Sequence, residues 1–231
     1  LLGEIQTLLD RVEPLASYLP AASLKLIIES SKRGQVPPDF TNLTVLFVSL
    51  LGLPESVGMA REEEEEALIA SFSRIFALIN AVVEARGGLL KKVTYQASGS
   101  NILIYFGAPN AHQDDPVRAA KAALAIRDLV LDFEPLQVAG RPLPIEVQIG
   151  IAQGPAFVAE FGEPRGRREF NVLGDTVNTA ARLMAKAEKG HIYITDKVTQ
   201  QISEQFRCDF LGEIPLKGKT PAPIFSLVEK L

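Results

Sequence analysis

Apolar positions along the chain change their spacing several times, and each change predicts a different element. Leu43 to Leu50 reads Leu-Thr-Val-Leu-Phe-Val-Ser-Leu, an almost unbroken apolar run. A run this short, rich in branched and aromatic side chains, predicts a central strand buried on both faces. From Arg61 to Arg86 the spacing lengthens to that of a helix, with Leu68, Phe72, Ile75, Ile79 and Val82 on its buried side. Gly87 follows as the predicted end of that helix. The acidic run Glu62 to Glu66 falls where the helix begins, and there carboxylates face the positive end of its dipole. Gly88 to Phe106 predicts a hairpin turning near Gly99. Asp115-Pro116 supplies an N-cap and a first-turn proline for a helix running toward Phe133. Ile145, Val147, Ile149 and Ile151 alternate with Glu146 and Gln148, the period of a half-buried strand, and Ala156 to Phe161 predicts a separate strand after it. A basic turn, Arg165-Gly166-Arg167-Arg168, leads into a short strand at Asn171. A helix around Asn178, a strand at His191 to Thr195, a short helix at Lys197 to Glu204 and closing strands complete the pattern.

Leu1 to Ser31 carries a leucine- and isoleucine-rich helical pattern that Pro14 and Pro20 are expected to break. Gly34 to Asp39, with Pro37-Pro38, reads as a linker. The expected organisation is therefore a helical connector and linker over residues 1–39 and one domain over residues 40–231. The chain begins with Leu, and a piece of a longer polypeptide is expected. The order of elements in the domain, β-α-β-β-α-β with additions, predicts an α+β fold: a ferredoxin-like sandwich with extra C-terminal strands and a helix.

Composition narrows the function. Lys plus Arg number 24 and Asp plus Glu 28, a net charge of -4, which argues against nucleic acid as partner. An RNA-binding ferredoxin-like sheet would also need exposed aromatic strand motifs, and none are seen. Cys208 is the single cysteine, so no internal disulfide can form and a reducing, cytoplasmic setting is expected. Two histidines and one cysteine leave no zinc-type cluster. No uninterrupted apolar run reaches the roughly 18 residues of a spanning helix, so no membrane span is expected.

The most informative stretch runs from Phe170 to Leu183: a short strand, a glycine turn and a helix. Asn178 and Arg182 are spaced to share one helical face, beside an apolar face of Val177, Ala180, Ala181 and Met184. An amide and a guanidinium so placed can donate together to an anion, and the guanidinium fork suits phosphate.

This stretch resembles the V-N-x-A-A-R signature of class III nucleotidyl cyclases, which make cyclic AMP or cyclic GMP from a nucleoside triphosphate. Gly87-Gly88 followed by Phe106-Gly107-Ala108-Pro109 resembles the family's G-G…F-G-A-P hairpin. Ile149-Gly150-Ile151-Ala152-Gln153-Gly154 resembles its I-G-I-x-x-G strand, and Leu216-Lys217-Gly218-Lys219 with Pro223 its closing K-G strand. The resemblance spans Leu43 to Leu231. It implies a site built across a dimer, where one partner gives two metal-binding Asp and the other gives base-reading residues plus the Asn and Arg.

The resemblance assigns this chain to the second role. Asn178 would orient the ribose and Arg182 would stabilise the transferring phosphate. Lys92 falls at the base-recognition lysine, and Asn171, seven residues before Asn178, at the second base-contacting position. An ammonium can donate to N1 of adenine, whereas N1 of guanine is itself a donor, so ATP is the expected substrate. The first metal Asp lies in F-x-D-I-x-G-F, and here Phe47-Val48-Ser49-Leu50-Leu51-Gly52-Leu53 puts Ser49 there. The second lies in G-D ahead of F-G-A-P, and Gly99-Ser100 puts Ser100 there. A neutral hydroxyl is a poor ligand for a hard cation. Pro54 and Glu55 would weaken the following phosphate loop, by a lost donor and by repulsion. Magnesium or manganese would accordingly be held by a metal-bearing partner domain, on the same polypeptide, and not by this chain. The longer spacer between Lys92 and Ser100 resembles the second catalytic domain of tandem soluble adenylyl cyclases. Two functions follow as expectations: half of an ATP cyclase, inactive alone though able to form a homodimer, or a pseudo-cyclase serving in dimerisation or regulation.

Overall fold

In the computed structural model of the chain the structure describes residues 2–30, 38–96, 99–163, 166 and 168–231. Two helices come first, α1 (Leu2–Ala16) and α2 (Ala21–Ser30). Pro14 lies inside α1 and does not break it, whereas Pro20 falls in the turn before α2. Near a helix C-terminus a proline removes one amide bond without ending the helix at once. Most of the expected linker, residues 34–37, lies outside the described residues.

The domain proper starts with β1 (Asp39–Leu51) and α3 (Leu53–Met59). A single 3-10 turn, Glu62–Glu64, then feeds α4 (Glu65–Glu84). The hairpin strands β2 (Leu89–Gln96) and β3 (Gly99–Phe106) follow, with its turn residues 97–98 outside the described ones. Next come α5 (Asp115–Leu131), a small hairpin of β4 (Leu136–Val138) and β5 (Arg141–Leu143), and β6 (Glu146–Gly162). The chain ends with β7 (Arg168–Leu173), α6 (Asp175–Lys186), β8 (Ile192–Thr195), α7 (Asp196–Ile202), β9 (Phe206–Ile214) and β10 (Ala222–Lys230).

The main sheet runs β2-β3-β1-β6-β8-β10-β9, with β7 paired to β6 beside β8. Its first four strands are antiparallel and carry the expected β-α-β-β-α-β order, and β8 joins β6 in parallel. Each face has its own core. Leu46, Val48, Leu50, Ile102 and Ile104 point to one side, under α4, α5 and α7. Leu43, Val45, Phe47, Leu103 and Tyr105 point to the other, where Ala180 and Leu183 of α6 pack on them. The alternation of strand side chains makes both faces apolar, which is why Leu43 to Leu50 reads as continuous.

Three expectations change. Val147 to Phe161 is one strand, not two: Gly154-Pro155 does not interrupt β6. Pro155 lies between the stretch of β6 paired to β8 and the stretch paired to β7, so that edge needs no amide from it. The helix at Asp115 begins one residue earlier, for Asp114 is its N-cap and Asp115 its first residue. The segment Glu62–Glu84 is long and apolar enough to cross a membrane, with a hydropathy of 1.6, although Arg74 interrupts any continuous run. In this fold its Leu68, Ile75, Ile79 and Val83 are buried against the sheet and Phe72 and Val82 half-buried at the edge, while Ile69, Phe76 and Leu78 are exposed.

Candidate active site

The helix carrying Asn178 and Arg182 lies almost in van der Waals contact with the strand beneath it. A side-chain carbon at Gly150 would sit 2.2 Å from the Ala180 carbonyl oxygen and 2.3 Å from the Met184 nitrogen. One at Gly154 would sit 2.6 Å from Thr176 Oγ1. Both glycines of the Ile149 to Gly154 stretch are therefore explained by the approach of α6 to β6. The helix is pinned at both ends: Thr176 Oγ1 donates to the Pro155 carbonyl at 3.1 Å, and the Gln148 side-chain amide donates to the Ala187 carbonyl.

That packing orients the helix. Thr176, Thr179, Ala180, Leu183 and Met184 are buried, which leaves Asn178 exposed and Arg182 half-buried on the side turned from the strand. The buried face thus adds Thr176, Thr179 and Leu183 to the expected Ala180 and Met184, with the expected Val177 half-buried against the same core. Among the described residues neither Asn178 nor Arg182 has an internal hydrogen bond or ion pair.

Lys92 belongs to the edge strand β2 and is exposed. It pairs with Leu103 and so faces the α6 side of the sheet. A bulge sits immediately before it, between Leu90 and Lys92. A bulge opposes two residues to one, so Lys91 and Lys92 both escape the strict alternation. Lys91 turns inward: its side chain is only 12% exposed and its Nζ lies 3.0 Å from Glu169 Oε1 on β7. Glu169 shares a strand face with Asn171. Half-buried Asn171 accepts the Val172 amide on Oδ1 at 2.9 Å, which leaves its NH2 group to donate. Fully buried Tyr105 lies beside this pair, and its hydroxyl meets no partner among the described residues. Burial, and after it the Glu169 charge, pushes the phenol well above its usual range.

Sequence reasoning missed the Lys91–Glu169 pair, because no local pattern marks a contact between strands so far apart in the chain. It also missed Lys219. The expected K-G strand is a turn between β9 and β10, with Gly218 at φ 73°. From it Lys219 Nζ donates to Asp175 and, at 2.6 Å, to Thr179 Oγ1, which ties the turn to the first turns of α6. The two pairs of motif glycines also meet structure. A side-chain carbon at Gly88 would lie 2.6 Å from the Phe106 ring and 2.8 Å from Val83, so the glycine lets α4 close onto the hairpin.

Ser49 and Ser100 are buried, at 4% and 1% exposure. Ser49 pairs with Asn101 and Leu50 with Ser100. The alternation puts Ser49 on the α6 face and Ser100 on the opposite one, and Ser100 Oγ has no partner. Among the described residues no three His, Cys, Asp or Glu side chains converge on a point that could hold a metal. The residues present do not fit a divalent cation. Pro54 and Glu55 fall in the first turn of α3, and their side chains lie outside the described ones.

A model of the adenylate and guanylate cyclase catalytic domain matches residues 36–229. The chain is 26% identical over 211 residues to an adenylate cyclase of Mycobacterium bovis, covering 91% of this chain and 44% of that protein. It is 27% identical over 211 residues to the receptor-type guanylate cyclase gcy-8 of Caenorhabditis elegans, covering 89% of this chain and 17% of that protein. The chain thus spans less than half the length of these relatives. The crystal structure of the adenylyl cyclase CyaB from P. aeruginosa superposes with a TM-score of 0.73 at 25% identity, covering 84% of this chain and 97% of that one.

Proposed function

The chain belongs to the adenylate and guanylate cyclase catalytic-domain family, and from that premise we propose that it is the base-reading half of an ATP cyclase. It acts with a second cyclase domain that brings the metal ligands, in the manner of the second domain of a tandem enzyme. The reaction is attack of the ribose 3′-oxygen on the α-phosphate, giving cyclic AMP and pyrophosphate. Cyclase domains generally use magnesium or manganese, and in this reading the partner holds the ion.

The observation that carries the reading is a one-sided donor set. Lys92, Asn178 and Arg182 meet no internal partner among the described residues, and the carboxylates that would complete a metal site do not converge there. Lys92 donates to the base. The NH2 of Asn171 adds a donor at the same end, and its Oδ1 keeps a second lone pair for an exocyclic amine. Asn178 holds the ribose, and Arg182, one turn on, meets negative charge growing on the phosphate. Preorganised donors aimed at developing charge lower the barrier without reorganising in the transition state.

The test uses this chain mixed with, or fused to, a metal-bearing cyclase domain. Removing one such donor typically lowers turnover by about 10²–10³. Arg182→Ala should therefore reduce kcat of the pair by that order while leaving the KM for ATP nearly unchanged. Unchanged turnover would mean that this domain does not complete the site, and it would then be a regulatory pseudo-cyclase.

A further inference from the structure

We propose that Lys219 is a positioning residue for the cyclase reaction: its ammonium grips the outer flank of α6 and so aims Asn178 and Arg182. The proposal rests on the reading of those two residues as the ribose and phosphate donors. Lys219 itself touches no nucleotide and acts through the helix.

The helix has two sides to secure. On the buried side Gly150, Gly154, Thr176 and Gln148 fix how closely α6 lies on β6. Contacts along one side resist lifting more than rolling about the helix axis. Lys219 meets the helix elsewhere. Its Nζ donates to Asp175, the first residue of α6, and at 2.6 Å to Thr179 Oγ1, one turn on. Thr179 Oγ1 donates its own hydrogen to the Asp175 carbonyl at 2.8 Å, which leaves its lone pairs to the ammonium. Asp175, Thr179 and Arg182 stand at i, i+4 and i+7, so they follow one another along a single flank, and Asn178 adjoins them. One ammonium thus bridges two turns of the flank that carries both donors, and it opposes a roll that would turn them aside.

The surroundings suit a long side chain in this role. Leu216 seats the start of the β9–β10 turn in the core. Beyond it a cavity of about 480 Å³ opens between the turn and the helix, lined by Thr176, Thr179, Thr195, Lys219 and Pro223. Lys219 reaches α6 at the side of this gap. The turn is a firm base for it: the Lys219 amide donates to the Leu216 carbonyl at 2.9 Å, and β10 is paired on both sides, to β8 and β9.

Charge adds a second effect. The Asp175 side chain is 66% exposed, and Lys219, at 28%, neutralises it. Asp175 lies about 10 Å along the helix from Arg182 at roughly 1.5 Å per residue, and nearer still to Asn178. A bare carboxylate there would repel a polyphosphate across about one Debye length, which salt would screen. Aim and charge therefore leave different kinetic traces.

The experiment measures kcat and KM for ATP, at low and high salt, in the mixed pair with a metal-bearing partner. Lys219→Met should lower kcat by about tenfold at both salts, since small misplacements of reacting groups are costly, and raise KM at low salt alone. Thr179→Val removes the acceptor at constant shape and charge, so it should lower kcat by a similar factor with KM unchanged at either salt. Lys219→Arg, whose fork can still bridge two oxygens, should keep kcat within about threefold of wild type. Unchanged kcat in both Lys219→Met and Thr179→Val would overturn the proposal. So would a kcat loss that high salt restores, which would make Lys219 a counter-charge only, or a Lys219→Arg variant as slow as Lys219→Met. Arg182→Ala in the same assay separates the two levels of argument. Lost turnover there with unchanged kcat in the Lys219 and Thr179 variants defeats the positioning role alone, and unchanged turnover there defeats the reading beneath it. Thermal melting of each variant shows that the domain is folded, and Thr179→Val tests the role should Lys219→Met melt early.

Discussion

At Gly150 one methyl group decides where α6 lies. The only ways to admit a side chain are to lift α6 or bend β6, because the clashing atoms are backbone. Overpacking of this kind costs about 1–3 kcal/mol or more. Gly150→Ala should thus lower the melting temperature and, in the mixed pair, reduce turnover, since Asn178 and Arg182 ride on the displaced helix. A melting curve matching wild type would contradict this geometry. Asp115 offers a second test. Its carboxyl accepts the His112 amide at 2.8 Å, yet burial raises its pKa above the ordinary 3.8. A carboxyl raised in the folded state contributes stability that is present below its unfolded value. That stability is lost as pH rises through the folded value, where the buried group must ionise. Asp115→Asn removes this loss, so its melting temperature relative to wild type should improve as pH climbs from about 4 toward neutrality. A constant difference across that range would rule the explanation out.

Among the elements, α1 and α2 stand apart. Among the described residues neither packs extensively on the sheet, and α2 exposes Ile27 and Ile28. The turn between them borders a cavity of about 450 Å³ that Lys91 and Lys92 also line. Removing residues 1–30 should leave the rest folded, with a melting temperature within about 4 °C of the full chain, the equivalent of roughly 1 kcal/mol at this size. A larger drop, measured by calorimetry, would show that the helices belong to the domain. By contrast α6 is tied down by glycine packing, Thr176, Gln148 and the Lys219 turn together.

The whole molecule presents a surface suited to a second domain. Phe40 is 79% exposed and Leu173 53%, at the far end of β1, β6 and β7. Phe40 stacks on Phe157 at 4.8 Å, and Phe157 meets Phe161 edge-on at 6.3 Å. Such an aromatic group on a strand extension is an apolar patch awaiting cover. The purified domain should sediment as a monomer–dimer equilibrium, and Phe40→Ser should shift it to monomer. On the proposed division of labour it should make no cyclic nucleotide with magnesium or manganese at any concentration, because the reading gives neither copy the metal carboxylates. Cyclic AMP from the pure domain would refute the division of labour proposed above, and a strict monomer at high concentration would refute the role of the patch.

The sequence by itself determined what depends on neighbours in the chain. The pattern of apolar residues located β1, α4 and α6, the Asp115-Pro116 pair located α5, and the spacing of Asn178 and Arg182 put both on one helical face. It left out α3 and the β4–β5 hairpin, which are too short for a period to show. It divided β6 at Gly154-Pro155, since a proline's missing amide matters only where a partner strand needs it. Tertiary structure alone decided which side chains meet across the sheet. Ser49 and Ser100 look like matched positions in sequence, but the register of β1 against β3 sends them to opposite faces. Lys91 looks like a twin of Lys92, but a bulge turns one inward to Glu169 and leaves the other in solvent. Lys219 finds Asp175 only because β10 returns beside β8. Local spacing is written in one stretch of chain, whereas strand register and helix approach arise from packing every stretch against the others at once.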